Sequence, residues 1–252
     1  MDTIGEPCWI QLTTDDVDTA ISFYGELFEW SAGAPSEEYQ GYRMFFRGDQ
    51  PIAGLVPTPD DLPSTWSVFL STSDLAGTVE RAKTAGGRVL IEPMPVGDLG
   101  SFAELADPSG AAIGAWQADT FPGFATRNEE NAPAWFETLT TRYDEAVAFY
   151  QDAFGWETHV MGDTPEFRYT TLGLNENARA GIMDASGFLG DEPARWQFYL
   201  QVADTDETTA KAVSIGAEVV SAAADTPYGR IATMIDPAGI SFCVLGPNLE
   251  AS

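Results

Sequence analysis

Apolar residues recur along the chain at two periods, and each period repeats. From Val17, apolar side chains fall at Ala20, Ile21, Tyr24, Leu27 and Phe28. These steps of three and four lay one stripe along a helix, with Thr14 and Asp15 offering N-cap chemistry at its start. Tyr143, Ala146, Val147, Tyr150, Ala153 and Phe154 draw the same stripe again. Before each helix stands a short strand-like run, CWIQLTT (8–14) and AWFETLTT (134–141). After each come YRMFFRGDQPIAGL (42–55) and FRYTTLGLNENARAGI (167–182), which read as hairpins with polar turns.

The echo continues in WSVFLSTSDL (66–75) and WQFYLQVADT (196–205), where a strand runs into a short helix that ends near Gly86 and Gly87, or near Gly216. SFAELADPSGAAIGAW (101–116) and ATMIDPAGISFCVL (232–245) then supply closing strands around an Asp-Pro-x-Gly turn. Each half therefore holds two strand-helix-strand modules, and the chain is a duplication of a duplication. The expected division is a first domain over 1–119, a linker over 120–131 and a second domain over 132–252.

Composition narrows the partners. With 252 residues and 44% hydrophobic content, the chain can bury one large core or two of ordinary size. Acidic residues number 39 against 12 basic, a net charge of −27. Such a surface repels phosphate backbones and anionic lipid, so neither nucleic acid nor membrane is expected as a partner. Two cysteines make no disulfide framework, the first basic residue is Arg43, and no apolar run approaches a bilayer span. A cytoplasmic protein is expected, and the internal pairing of modules suggests a monomer.

Four βαβββ modules, with an "FY…LF.W" helix and a closing "DP.G" hairpin in each half, resemble the vicinal-oxygen-chelate (VOC) superfamily. That superfamily includes glyoxalases, bleomycin-resistance proteins and extradiol dioxygenases. The resemblance spans about residues 6–118 and 132–248, and the two-domain layout is most similar to actinobacterial proteins labelled glyoxalase-like or hydroxylase. It implies an α+β fold of two tandem VOC domains, with cup-shaped mixed sheets and helices outside. In metal-dependent members, His and Glu ligands on facing strands hold a Lewis-acid metal. The matching positions here are Trp9 and Trp135, Ser67 and Gln197, Gly54 and Gly181, and Gly114 and Cys243. None of them is His, Asp or Glu, and the single histidine, His159, follows the second helix. No bound metal or other cofactor is expected.

Alternation places most of these positions, with the residues two along, on the cup faces: Trp9, Gln11, Ser67, Phe69, Gly114 and Trp116 in the first half, and Trp135, Glu137, Gln197, Tyr199, Cys243 and Leu245 in the second. Aromatic walls with a few amides and hydroxyls suit a flat hydrophobic or aromatic small molecule. The expected ligand-binding residues are Trp9, Gln11, Ser67, Phe69, Trp116, Trp135, Gln197, Tyr199 and Cys243. Glu137 is the candidate catalytic acid or base; its first-half counterpart, Gln11, cannot titrate. The same side chains also read as core: the tryptophans as plugs, Cys243 as a small buried hydrophobe and Glu137 as a structural carboxylate. Trp30, Trp66, Trp156 and Trp196 are expected in the core. Three functions follow: a metal-free binder of resistance or sequestration type, a tailoring enzyme of an aromatic metabolite, and, as the alternative, a metal-dependent glyoxalase-like lyase or dioxygenase.

Overall fold

The computed structural model describes residues 4–58 and 63–249. The first half runs β1 (Pro7–Thr14), α1 (Val17–Phe28), β2 (Trp30–Ala32), β3 (Arg43–Arg47), β4 (Gln50–Pro57), β5 (Thr65–Ser71), α2 (Leu75–Thr84), β6 (Arg88–Val96), β7 (Gly100–Ala106) and β8 (Ala112–Ala118). The second half repeats the order: β9 (Pro133–Thr140), α3 (Tyr143–Phe154), β10 (Thr158–Thr164), β11 (Phe167–Leu172), β12 (Ala180–Asp184), β13 (Arg195–Gln201), α4 (Thr205–Ser214), β14 (Glu218–Thr226), β15 (Gly229–Ile235) and β16 (Ser241–Gly246). Each half forms one eight-stranded mixed sheet, in the orders β2-β3-β4-β1-β5-β8-β7-β6 and β10-β11-β12-β9-β13-β16-β15-β14. The fold is α+β, with two tandem domains of the expected kind.

α1 and α3 start at Val17 and Tyr143 as read, but the cap of α1 differs from the sequence reading. Asp16, not Thr14 or Asp15, caps α1, accepting the backbone N–H of Thr19 at 3.0 Å. Thr14 instead accepts the N–H of Asp16 at 3.2 Å, one step ahead of the cap. Asp74 and Asp204 cap α2 and α4 in the same way.

The compact units do not follow the sequence halves. One comprises residues up to Trp9, Ser67–Gly123 and Phe136–Gln197; the other comprises Ile10–Trp66, Phe124–Trp135 and the chain from Phe198. Each unit thus takes modules from both halves, and the repeated motif explains the pairing. In the first unit the fully buried Tyr150 of α3 donates from its hydroxyl to Asp107 Oδ2 at 3.2 Å, and Trp196 Nε1 donates to the same hydroxyl at 2.7 Å. In the second, Tyr24 of α1 donates to Asp236 Oδ2 at 2.9 Å, and Trp66 Nε1 donates to Tyr24 at 3.0 Å. The other oxygen of each aspartate closes its own Asp-Pro turn, Asp107 on the N–H groups of Ser109 and Ala111, Asp236 on those of Ala238 and Ile240.

Burial drives the titration of these groups away from charge. It raises both tyrosines well above 10 and raises both aspartates, the turn hydrogen bonds opposing it. Of the four tryptophans expected in the core, Trp30, Trp156 and Trp196 are buried, while Trp66 is half-buried. Trp30 and Trp156 are buried, and their indoles donate to the carbonyls of Asn131 and Gly5 at 2.8 Å each. Trp66 packs edge-on against Phe198, its centroid 5.1 Å away.

Candidate functional site

Glu137 lies at the middle of β9, a strand buried along most of its length. It sits opposite Gly181 of the parallel neighbour β12. A side chain at 181 would fill the space beside the carboxylate; glycine leaves it open, and the Tyr169 hydroxyl occupies it. A Cβ built on Gly181 would lie 2.0 Å from that oxygen. Tyr169 donates to Glu137 Oε2 at 2.7 Å, and Gln197 Nε2 of β13 donates to Oε1 at 2.9 Å. Phe167 stacks on Tyr169 at 5.7 Å and holds the ring in place. Each carboxylate oxygen therefore accepts a hydrogen bond from a neutral donor, and Glu137 is 7% exposed.

Sequence reasoning had found Glu137 and Gln197 but not Tyr169. The alternation in FRYTTL places Tyr169 on one face with Phe167 and Thr171, a signal that was present and unused. Trp135 precedes Glu137 by two residues on β9 and is half-buried. In the first half Gln11 faces Gly54 at the same register point, so the carboxylate is absent there.

The other expected residues form separate groups. Trp9 is buried and meets Phe121 edge-on at 4.9 Å, while Trp116 donates its indole N–H to the Phe121 carbonyl at 2.9 Å. Phe121 belongs to the connecting segment and carries no periodic signal, so its role was invisible in the sequence. Phe69 lies flat over Gly114, and a Cβ there would come within 2.1 Å of the ring. Tyr199, Cys243 and Thr233 form one cross-strand row, with the Thr233 hydroxyl 3.5 Å from the buried Cys243 Sγ. Ser67 is half-buried on β5. A cleft of about 440 Å³, lined in part by Gln201, Tyr228, Gly229 and Leu245, opens in the second unit and includes none of the expected site residues.

These donors decide whether the metal of the VOC enzymes fits the chain. Among the described residues no group of three or more His, Cys, Asp or Glu is placed to hold a cation. The matching register positions hold Trp9 and Trp135, Ser67 and Gln197, Gly54 and Gly181, and Gly114 and Cys243, none of them a carboxylate or imidazole. The carboxylate two residues along from Trp135, Glu137, already accepts from Tyr169 and Gln197. This donor set does not fit a divalent metal.

Comparison with known proteins agrees with the architecture. Residues 8–114 match the Glyoxalase/Bleomycin resistance protein/Dioxygenase superfamily, and residues 136–245 match a glyoxalase-like domain. The chain belongs to the vicinal-oxygen-chelate superfamily, as two tandem domains of it. It is 32% identical to the protein named "Putative glyoxylase CFP32" of Mycobacterium tuberculosis, over 96% of this chain and 95% of that one. It is 30% identical to the anthracycline biosynthesis protein DnrV of Streptomyces peucetius, over 96% and 93%. Among solved structures, the Mn(II)-bound glyoxalase of Novosphingobium aromaticivorans superposes with a TM-score of 0.66 at 14% identity, covering 98% of this chain and 85% of that one. A trihydroxybiphenyl dioxygenase of Sphingomonas wittichii gives 0.65 at 15%, covering 97% and 91%. At these identities the likeness is one of fold. No helix among the described residues is long and apolar enough to cross a membrane.

Proposed function

We propose that this protein binds a flat aromatic small molecule and that Glu137 exchanges a proton with it. The observation that carries this reading is the Glu137–Tyr169–Gln197 group: a nearly buried carboxylate whose two oxygens are each fixed by a donor, on a strand that also carries Trp135. Fixed donors hold the carboxylate in one orientation, as a group that takes and returns a proton requires. A flat ring supplies apolar area for an indole to cover. The kinship with a protein of anthracycline biosynthesis supports a fused-ring ligand, since anthracyclines are flat polycyclic compounds. The reading places the protein with tailoring enzymes of aromatic metabolites. A metal-dependent lyase or dioxygenase would need ligands that the register positions do not offer.

The reading is tested by titrating tryptophan fluorescence with a panel of hydroxylated fused-ring compounds. Saturable quenching is expected. Trp135→Ala is expected to weaken binding by ~1–3 kcal/mol, the loss from uncovering most of one aromatic face. Glu137→Gln keeps shape and polarity and is expected to preserve affinity while removing proton exchange. Unchanged affinity for every compound in Trp135→Ala would make that indole part of the core and remove it from the site.

A further inference from the structure

The two halves match strand for strand and then differ just past their last strands. Ser71 pairs with Trp116 across β5 and β8, as Gln201 pairs with Leu245 across β13 and β16. Trp116 and Leu245 therefore hold the same place in the two sheets. Gly100 and Gly229 open the neighbouring strands β7 and β15. In the second half the cleft of about 440 Å³ lies beside Gln201, Gly229 and Leu245. In the first half the chain itself returns over the matching place.

Residues 119–123 make that return. The backbone N–H groups of Asp119 and Phe121 donate to the Leu99 carbonyl at 3.0 and 3.1 Å. Thr120 donates to the Asp98 carbonyl twice, from its N–H at 3.1 Å and its hydroxyl at 2.7 Å. The Trp116 indole N–H reaches the Phe121 carbonyl at 2.9 Å from the other side. Pro122 keeps Phe121 extended. Gly123, at φ 105°, then passes so close to β1 that a Cβ on it would lie 2.0 Å from the Cys8 carbonyl oxygen. These ties set the Phe121 ring edge-on to Trp9 at 4.9 Å and to Trp116 at 6.3 Å. Trp9 is 5% exposed beside it, whereas Trp135, the counterpart on β9, is half-buried. After β16 the chain takes another course, with Asn248 Nδ2 donating to the Thr226 carbonyl at 2.7 Å. The ring is not repeated in the sequence either: Phe121 stands five residues past Trp116, and the residue five past Leu245 is Glu250.

We propose that the 119–123 strap is an autoinhibitory contact, which lays the chain's own phenyl ring in the mouth of the first cup and closes it to ligands. Ligand binding is thereby left to the second half. A ring carried on the chain competes at an effective concentration on the order of millimolar, before its backbone hydrogen bonds add to the hold. A dissolved aromatic compound must exceed that to displace it. The duplication thus yields two like sheets of which one is plugged. This inference concerns the first half and stands whether or not Glu137 exchanges a proton.

The test counts binding sites by calorimetry with 2-naphthol, a neutral fused-ring probe, on the intact chain and on Phe121→Ala. The probe is wider than the ring it replaces, so a closed hole left by a core side chain does not admit it. The half-buried setting of Phe121 leaves one side of its seat open for the second ring. Phe121→Ala is expected to bind one equivalent more than the parent, and Phe121→Leu, which keeps an apolar plug, to bind as the parent does. If Phe121→Ala loses its cooperative melt, Trp116→Leu is measured in its place. That variant copies Leu245 and removes the indole N–H that holds the strap, and it too is expected to gain one equivalent. The inference is overturned if the folded variant binds no more probe than the parent, or if the parent already binds two equivalents. Because the readout is the difference from the parent, a parent that binds no probe would count against the proposed function and leave this comparison intact.

Discussion

Gly181 shows how a missing side chain can build a polar centre. Its hydrogen leaves room for the Tyr169 hydroxyl, which then reaches Glu137. Gly181→Ala would put a methyl 2.0 Å from that oxygen, so the tyrosine must swing away and the buried carboxylate loses a donor. The expected cost is ~1–3 kcal/mol in a denaturant melt, from overpacking and a lost hydrogen bond to a charged group. Glu104 makes the opposite prediction. Burial raises its pKa above the ordinary glutamate value of 4.5, so its neutral form fits the fold better than its charged form. The stability it contributes is present below pH 4.5 and is lost as pH rises through the raised value. Glu104→Gln is therefore expected to match the parent in acid and to exceed it by on the order of 1 kcal/mol at neutral pH. Melting temperatures across the acidic range check this, and a gain that persists unchanged below pH 4.5 would contradict it. Glu137 was legible because one strand alternation sets it beside Trp135. Tyr169 and Glu104 sat in stretches already read as strands, where position on the face mattered more than residue type. Phe121 was not legible at all, because a connecting segment has no period to place it.

Among the elements, the helices were read within a residue or two because their stripes face aromatic cores and must be apolar. The outer strands β6 and β14 went unread. Both are exposed along most of their length, so no alternation of apolar and polar residues marks them. β6 also carries Pro93 and Pro95, which suit an edge strand and disguise it. The two copies of the first helix differ instructively at their ends. α3 is closed by Gly155 in the left-handed region at φ 71°, whereas α1 is closed by Glu29 at φ 60°. Only glycine adopts that backbone without steric cost. Glu29→Gly is expected to stabilise the chain by ~0.5–1 kcal/mol, the penalty a side chain pays in that conformation, and thermal melting of the variant measures it.

The whole molecule is tied by contacts that bind one sequence half to the other. Tyr24 of the first half reaches Asp236 of the second, and Tyr150 of the second reaches Asp107 of the first. Fragments cut in the linker, 1–119 and 132–252, would leave both tyrosines and both aspartates without these partners. Neither fragment is expected to give a cooperative melt alone, while mixed or co-produced fragments are expected to recover one. Two fragments that each melt cooperatively alone would contradict the pairing. The intact chain, holding both partners, is expected to sediment as a monomer. The repeat, the module count and the link of FY to DP were all visible in the sequence. Which half pairs with which was not, since Tyr24 has the same sequence motif available at Asp107 and at Asp236, and only packing chooses. The central claim, a flat ligand exchanging a proton with Glu137, is tested most directly with a flat aryl ketone such as 1-tetralone in heavy water. Proton NMR follows exchange at the carbon beside the carbonyl. The chain is expected to accelerate exchange saturably over buffer, and Glu137→Gln to bind the ketone equally and slow its exchange by about a hundredfold, the ordinary contribution of a positioned base. Equal exchange by the parent and Glu137→Gln, with both shown to bind the ketone, would contradict the account.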